Sequence, residues 1–175
     1  MYVLRPDEKT NPVMIYTQDT LVRGEVVTKQ SVLRVNIWLR TEGAPKYMHI
    51  LKPQVLVFGG TPVKPLSYSE LYFPTSQAIA FHTLPPTNEP VDYDANEANR
   101  MMQAIDVLVG TFVMKGNIRI STQTELGQSL EVARQAWMSL YDVNIMNPYL
   151  PQMPPMFVPM VLVNPEHVAF GVMGS

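Results

Sequence analysis

The sequence predicts a mainly β protein with minor α content: two similar small barrels in tandem, joined by a proline-rich linker and a helix. Three observations lead there. "SQAIAFHT" (76–83) and "PEHVAFGV" (165–172) share an Ala-Phe pair, Ala80-Phe81 and Ala169-Phe170, 89 residues apart. At that offset Leu71, Phe73, Gln77, Ile79 and Leu84 face Met160, Leu162, Glu166, Val168 and Met173, all similar in chemistry. "LVRGEVVT" (21–28) and "VMKGNIRI" (113–120) align at an offset of 92, which sets Gly24 on Gly116. Matches that run in order through both halves predict a unit written twice. Two copies are too few for a solenoid and suit a two-lobed chain.

The expected units are 13–84 and 105–173, with 85–104 as linker and helix. "FVMKGNIRI" alternates, with Phe112, Met114, Gly116, Ile118 and Ile120 on one face, so it predicts a strand with one buried side. Val22, Gly24, Val26 and Thr28 keep the same phase in the first copy. A glycine inside a strand marks a bulge, a bend or a close backbone approach. Gly24 and Gly116 at matched places therefore predict a strongly bent strand. Next, "SVLRVNIWLRT" reads as strand or helix. Its counterpart "TQTELGQSLEVARQAW" predicts a helix, with Thr122 and Glu125 at capping-box spacing and Leu126, Leu130, Ala133 and Trp137 as its stripe. Strands follow at 48–58 and 137–146, then the loops "GGTPVKP" and "NPYLPQMPP". Two short strands close each unit, "LYFP" with "AIAFHTL" and "MVLV" with "HVAFGVM". Phe81 and Phe170 belong in the cores of their units. Between the units, "LPPTNEP" is a linker. After it, Asp94 as a cap and the stripe Met101, Ile105 and Leu108 predict a helix.

The bent strand with a central glycine resembles an Sm-like small barrel. So do the endings "LYFPTSQAIAF" and "LVNPEHVAFGV", which read hydrophobic-Pro followed by a short apolar strand. The chain is similar in this to bacterial proteins of uncharacterised function that carry a short Sm-like barrel, and SH3-like barrels share the same features. The resemblance implies a small-barrel fold, and for many Sm-like proteins RNA binding and ring formation. The acidic residue and asparagine of their RNA-contacting turn are not recognisable in this sequence.

Composition narrows the function classes. The 175 residues allow one medium domain or two small ones. Hydrophobic residues make up 46% and charged residues only 16%, against roughly 25% charged in ordinary soluble domains. Net charge is −2 with no Lys/Arg run, which argues against a binder that neutralises phosphates. There is no cysteine, hence no disulfide, thiolate catalysis or Cys-type zinc site. "MYVLRPDEKTNP" lacks the apolar stretch of a signal peptide, and no apolar run approaches the roughly 20 residues of a membrane span. A cytoplasmic protein without membrane contact is the expectation.

The search for chemistry returns little. His49, His82 and His167 show no metal-ligand spacing, and no nucleophile elbow or phosphate-binding loop occurs. No catalytic residue, cofactor or metal is expected. The methionine- and proline-rich stretch 147–160 reads either as an adaptable partner-binding patch, through Tyr149, Met153, Met156 and Phe157, or as a loop covering a barrel mouth. Its prolines predict that it adds no strand to a sheet. The leading expectation is a non-enzymatic interaction or scaffolding protein that associates through barrel edges with a protein partner or itself, most simply as a homodimer. The alternatives are an Sm-like nucleic-acid binder and an enzyme of unknown type.

Overall fold

Alternation sets the strands. In Phe112–Ser121 the side chains of Phe112, Met114, Ile118 and Ile120 are buried and their neighbours turn outward. The computed structural model describes residues 2–174. Its strands are β1 (Glu8–Tyr16), β2 (Thr20–Lys29), β3 (Tyr47–Val57), β4 (Lys64–Ser67), β5 (Glu70–Pro74), β6 (Ala80–Thr83), β7 (Arg100–Val109), β8 (Phe112–Ser121), β9 (Met138–Met146), β10 (Met156–Val163) and β11 (Ala169–Gly171). They form one antiparallel sheet in the order β11-β7-β8-β9-β10-β6-β1-β2-β3-β4, with β5 following β4 along the far side of β3. The protein is mainly β, and the sheet does not close.

The two halves of the sheet carry the same features in the same order. β1 and β2 form a hairpin, as do β7 and β8. The β2–β3 ladder shifts register between Arg23 and Glu25, and the β8–β9 ladder between Lys115 and Asn117, so each bulge sits at the glycine. Opposite each bulge one residue takes a left-handed backbone: Lys52 at φ 48° and Asp142 at φ 51°. A bulge with such a residue bends the ladder sharply. Phe81 pairs with Ile15 and Phe170 with Val107, at matched places on β1 and β7. In the central strands the glycines abut Leu51 and Pro53 in one half and Tyr141 and Val143 in the other, so the halves match there at an offset of 90, one more than the sequence alignment implies.

Several expectations are corrected. Residues 94–108 are not a helix: β7 begins at Arg100, with Ile105, Val107 and Val109 buried in alternation. The Met101–Ile105–Leu108 spacing fits a helix on paper, but pairing with β8 along the whole of β7 decides the matter. β1 starts at Glu8, upstream of residue 13, and β7 at Arg100, within the segment expected to be linker and helix. The helix at 122–137 shrinks to α1 (Leu126–Val132), whose N-cap Glu125 makes no side-chain capping bond. It stops early because Trp137 is buried in the core of the other unit. The ambiguous 31–41 stretch becomes a 3-10 helix over Val35–Arg40. The stretch 147–160 does add to a strand, since β10 runs through Pro159, which lies opposite Asp142 without a shift of register.

Two cores result, and each borrows from the other half. One joins β7–β10 side chains to Met14, Tyr16, Ile79 and Ala80. The other joins the first unit to Trp137, Tyr141, Met160 and Leu162. Phe81 is fully buried, whereas Phe170 is only half-buried against its core.

The glycine bends are testable. A Cβ on Gly116 would stand 2.9 Å from the carbonyl oxygen of Tyr141, so the β9 backbone itself must move. Gly116→Ala is expected to lower stability by about 1–3 kcal/mol, read as a lower urea midpoint. Gly127 in α1 has nothing within 4 Å of such a Cβ. Gly127→Ala is expected to raise the midpoint, by about 0.4–1 kcal/mol of stability.

Candidate functional site

The sheet is joined and left open by the same kind of edge. Within the chain, β10 pairs with β6 through Leu162 opposite Phe81 and Val163 opposite Ala80. The Asn164 N–H donates to the Ile79 carbonyl at 2.8 Å. All four paired side chains are 0% exposed. Among the described residues, the counterparts of these strands at the two ends of the sheet have no such neighbour. At one end β5 presents Tyr72, 60% exposed. At the other, β11 presents exposed Ala169 and Gly171 around half-buried Phe170. A groove of about 490 Å³ runs beside β11, lined by Leu130, Ala133, Arg134, Asn164 and Phe170 among others. The corresponding space in the first unit, between the 3-10 helix and β6, is filled by Trp137, Met160 and Leu162.

The segment between the units is a polar strap. The Glu89 carboxylate accepts the backbone N–H groups of Val35 and Asn36, at 2.7 and 2.6 Å, at the start of the 3-10 helix. The Asp92 carboxylate accepts the hydroxyls of Ser139 and Tyr141, each at 2.6 Å, and pairs with the Arg40 guanidinium. Tyr93 meets Tyr141 edge-on at 4.8 Å and carries the Arg119 guanidinium 4.5 Å above its ring. Burial of Asp92, whose side chain is 7% exposed, works to raise its pKa. The two hydroxyl donors and Arg40 outweigh that and hold the carboxyl below its ordinary range. Burial, then the Asp92 bond, pushes the Tyr141 phenol up.

A cleft of about 710 Å³ lies along this strap and includes Arg40, Asp92, Glu97, Arg100, Arg119 and Tyr141. Asp92 holds Arg40, and Glu97 holds both Arg100 and Arg119. These five charged groups are spent on one another, while Asp94 and Arg134 of the same lining make no ion pair among the described residues, so the cleft reads mostly as a stitched seam between β9, the strap and the 3-10 helix.

A second polar pair is buried at the junction of the units. The His82 Nδ1–H donates to the Thr83 carbonyl at 3.0 Å, which leaves Nε2 to accept the Tyr16 hydroxyl at 2.9 Å. Burial lowers the His82 pKa to about 4, against a smaller opposing effect of the Thr83 carbonyl. The ring is therefore neutral in the fold. Tyr16 also meets Phe112 of the other unit edge-on at 4.9 Å.

The residues expected to form a partner patch differ in exposure. Tyr149 and Phe157 are exposed, at 66% and 61%, while Met153 and Met156 pack against the core. Gly24 and Gly116 serve the bends, and Phe81 lies in the β6–β10 joint. Sequence reasoning passed over Glu89 and Asp92 as linker residues; the acids in "TNEPVDYD" are visible, but nothing in that stretch names their partners. It also left out Tyr72 and the groove beside β11. Among the described residues, no group of three or more His, Cys, Asp or Glu side chains is placed to hold a metal ion. No helix among them is long and apolar enough to cross a membrane. No protein-family model matches the chain, and no curated protein or solved structure matches it either.

Two titrations test this polar framework. The buried His82 binds no proton between about pH 4 and 6.5, whereas the unfolded ring does. Stability must then rise with pH across that window, by on the order of 3 kcal/mol in all. His82→Gln should flatten that slope in thermal midpoints, and an unchanged slope would remove the buried neutral histidine as its source. Asp92 has the opposite chemistry: its folded pKa lies below the unfolded 3.8, so its contribution is present above that value and lost as pH falls further. Asp92→Asn is expected to cost on the order of 2–3 kcal/mol at neutral pH and to shrink the acid limb below pH 4.

Proposed function

We propose that the protein is a non-catalytic interaction module that takes up extended segments of partner proteins at the open edges of its sheet. We read its two halves as a duplicated, partly open small barrel of the Sm-like kind. The support is the shared order of hairpin, glycine bulge, left-handed residue and Ala-Phe strand. The observation that carries the functional reading is the β6–β10 joint. The reading is supported by the Ala-Phe strand β6, which pairs with β10, and by β11, a second Ala-Phe strand whose outer side is open among the described residues. Strand addition of this type draws affinity from main-chain hydrogen bonds and specificity from pockets for alternate side chains. The groove holding Leu130, Ala133 and Phe170 supplies such a pocket. In the strap cleft Arg40, Arg100 and Arg119 are held by Asp92 and Glu97, which gives less support to nucleic-acid binding than to the edge reading.

A peptide with the sequence of residues 156–164 tests the reading, since that segment is the one β6 already accepts. Titrated into dilute protein, it is expected to slow amide exchange at Phe170 by about tenfold or more, with little change at Val107 inside the sheet. A peptide that leaves Phe170 exchange unaltered up to millimolar concentration, as a scrambled control should, would sink strand addition at β11.

A further inference from the structure

The two open edges of this chain are the two halves of the joint it already makes once. Through the correspondence of the halves, β5 stands where β10 stands and β11 where β6 stands. Leu162 corresponds to Tyr72, Val163 to Phe73, Phe81 to Phe170 and Ala80 to Ala169. We propose that β5 of one molecule pairs with β11 of a second copy in that register, Tyr72 opposite Phe170 and Phe73 opposite Ala169. This rests on the strand-addition reading above and names the partner for it.

The backbone is set for this pairing. The Thr75 N–H donates to the Lys46 carbonyl, so by alternation Tyr72 turns its own N–H and C=O away from β3. In β6 the Leu84 N–H donates to Pro12, which turns Phe81 toward β10; Phe170, its counterpart, turns away from β7. Tyr72 and Phe170 can then exchange two hydrogen bonds. Pro74 occupies the place of Asn164 and lacks its N–H, so the contact between molecules has one bond fewer than the internal joint.

The side chains match as well. In the internal joint, Leu162 and Trp137 fill the space beside the 3-10 helix and β6. Their counterparts Tyr72 and Tyr47 are 60% and 50% exposed on the outer face of the first unit. The groove between α1 and β11, which they would enter, is open and lined by Leu130, Ala133 and Phe170. It also carries Arg134, while the β5 edge carries Glu70. Apolar surface that is buried in one joint is thus bare at both ends of the chain. The contact is heterologous: each molecule offers one β5 and one β11, and repetition gives a ring if the rotation closes and a filament if it does not.

Light scattering with edge variants tests the proposal. Wild type from about 1 µM to about 1 mM is expected to rise from 19.8 kDa to multiples of that mass, a single multiple for a ring and a growing series for a filament. Tyr72→Pro and Phe170→Pro each remove an outward N–H together with an aromatic side chain of the contact, and should each stay at the single-chain mass. Mixed in equal amounts they should form a species of twice that mass and nothing larger, because the first keeps β11 and the second keeps β5. If either proline variant unfolds by near-ultraviolet circular dichroism, Tyr72→Lys and Phe170→Lys carry the same test. Self-association that survives in either single variant would mean a symmetric contact and overturn the head-to-tail register. A wild-type mass constant at 19.8 kDa, with the 156–164 peptide still protecting Phe170, would overturn a second copy as the partner and leave strand addition standing. Loss of both would remove the two readings together.

Discussion

The short pairing of β10 with β6 is the constraint on which this molecule depends. Two residue pairs and a flanking hydrogen bond turn two half-sheets into one. The hydrogen bonds alone do not explain the joint, because each contributes only about 0.5–1.5 kcal/mol net. Burial outweighs them. Leu162, Val163, Phe81, Trp137 and Met160 are all buried at or beside the joint, and a fully buried large apolar side chain stabilises by roughly 1.5–3 kcal/mol. The joint also explains why neither unit has a private core. Met14, Tyr16 and Ala80 complete the core of the second half, and Trp137 and Leu162 complete that of the first. Each half lacks part of its interior without the other, so cooperative unfolding of the whole chain follows from the packing.

The strap fixes the same arrangement by different chemistry. A proline-rich segment has no ladder to join and must satisfy its polar groups elsewhere. Here Glu89 accepts the free N–H groups that begin the 3-10 helix, and Asp92 binds that helix, through Arg40, to β9. Breaking a buried pair costs more than the pair contributes, since the surviving charge is stranded. The strap therefore acts more to specify how the units sit than to add stability. The low charge content of the chain agrees with this, because several of its charged groups are spent on internal ties.

Local pattern carried much of this architecture into the sequence. Gly24 and Gly116 were readable as bends because a glycine inside an alternating strand marks a close backbone approach, and a Cβ would stand 3.1 Å from the Leu51 carbonyl oxygen at the first and 2.9 Å from that of Tyr141 at the second. The phase of β8 was readable from five alternating residues. The errors arose where distant contacts decide. Met101, Ile105 and Leu108 satisfy a helical period, yet their segment lies along β8. The α1 helix had a stripe ending in Trp137, but Trp137 serves the other unit, and the chain must leave the helix to deliver it. Pro159 spoke against a strand, and β10 accommodates it opposite Asp142, where the β9–β10 ladder keeps its register across an unpaired position and a missing N–H costs little. β1 and β4 escaped notice because Pro12 and Pro65 interrupt their patterns. The open edges were invisible for a simpler reason: Tyr72 and Leu162 look equally apolar in sequence, and only the pairing shows that one is covered and the other bare.

That difference between Tyr72 and Leu162 carries a further physical meaning. Leu162 is never exposed once the chain folds, so an aliphatic side chain is tolerable there. Tyr72 must remain soluble in a free molecule, and a tyrosine supplies apolar area with a polar tip. Its hydroxyl donates to Glu70, and its ring stacks on His49 at 4.5 Å. Pro74, on the same edge, withholds an N–H and so discourages indiscriminate pairing. The internal joint also gains from tethering, because two strands of one chain meet at a high effective concentration. If the proposed self-pairing holds, one geometry used twice has two strengths: a permanent seam where aliphatic residues meet within the chain, and a weaker, reversible contact where tyrosine and proline line the edge.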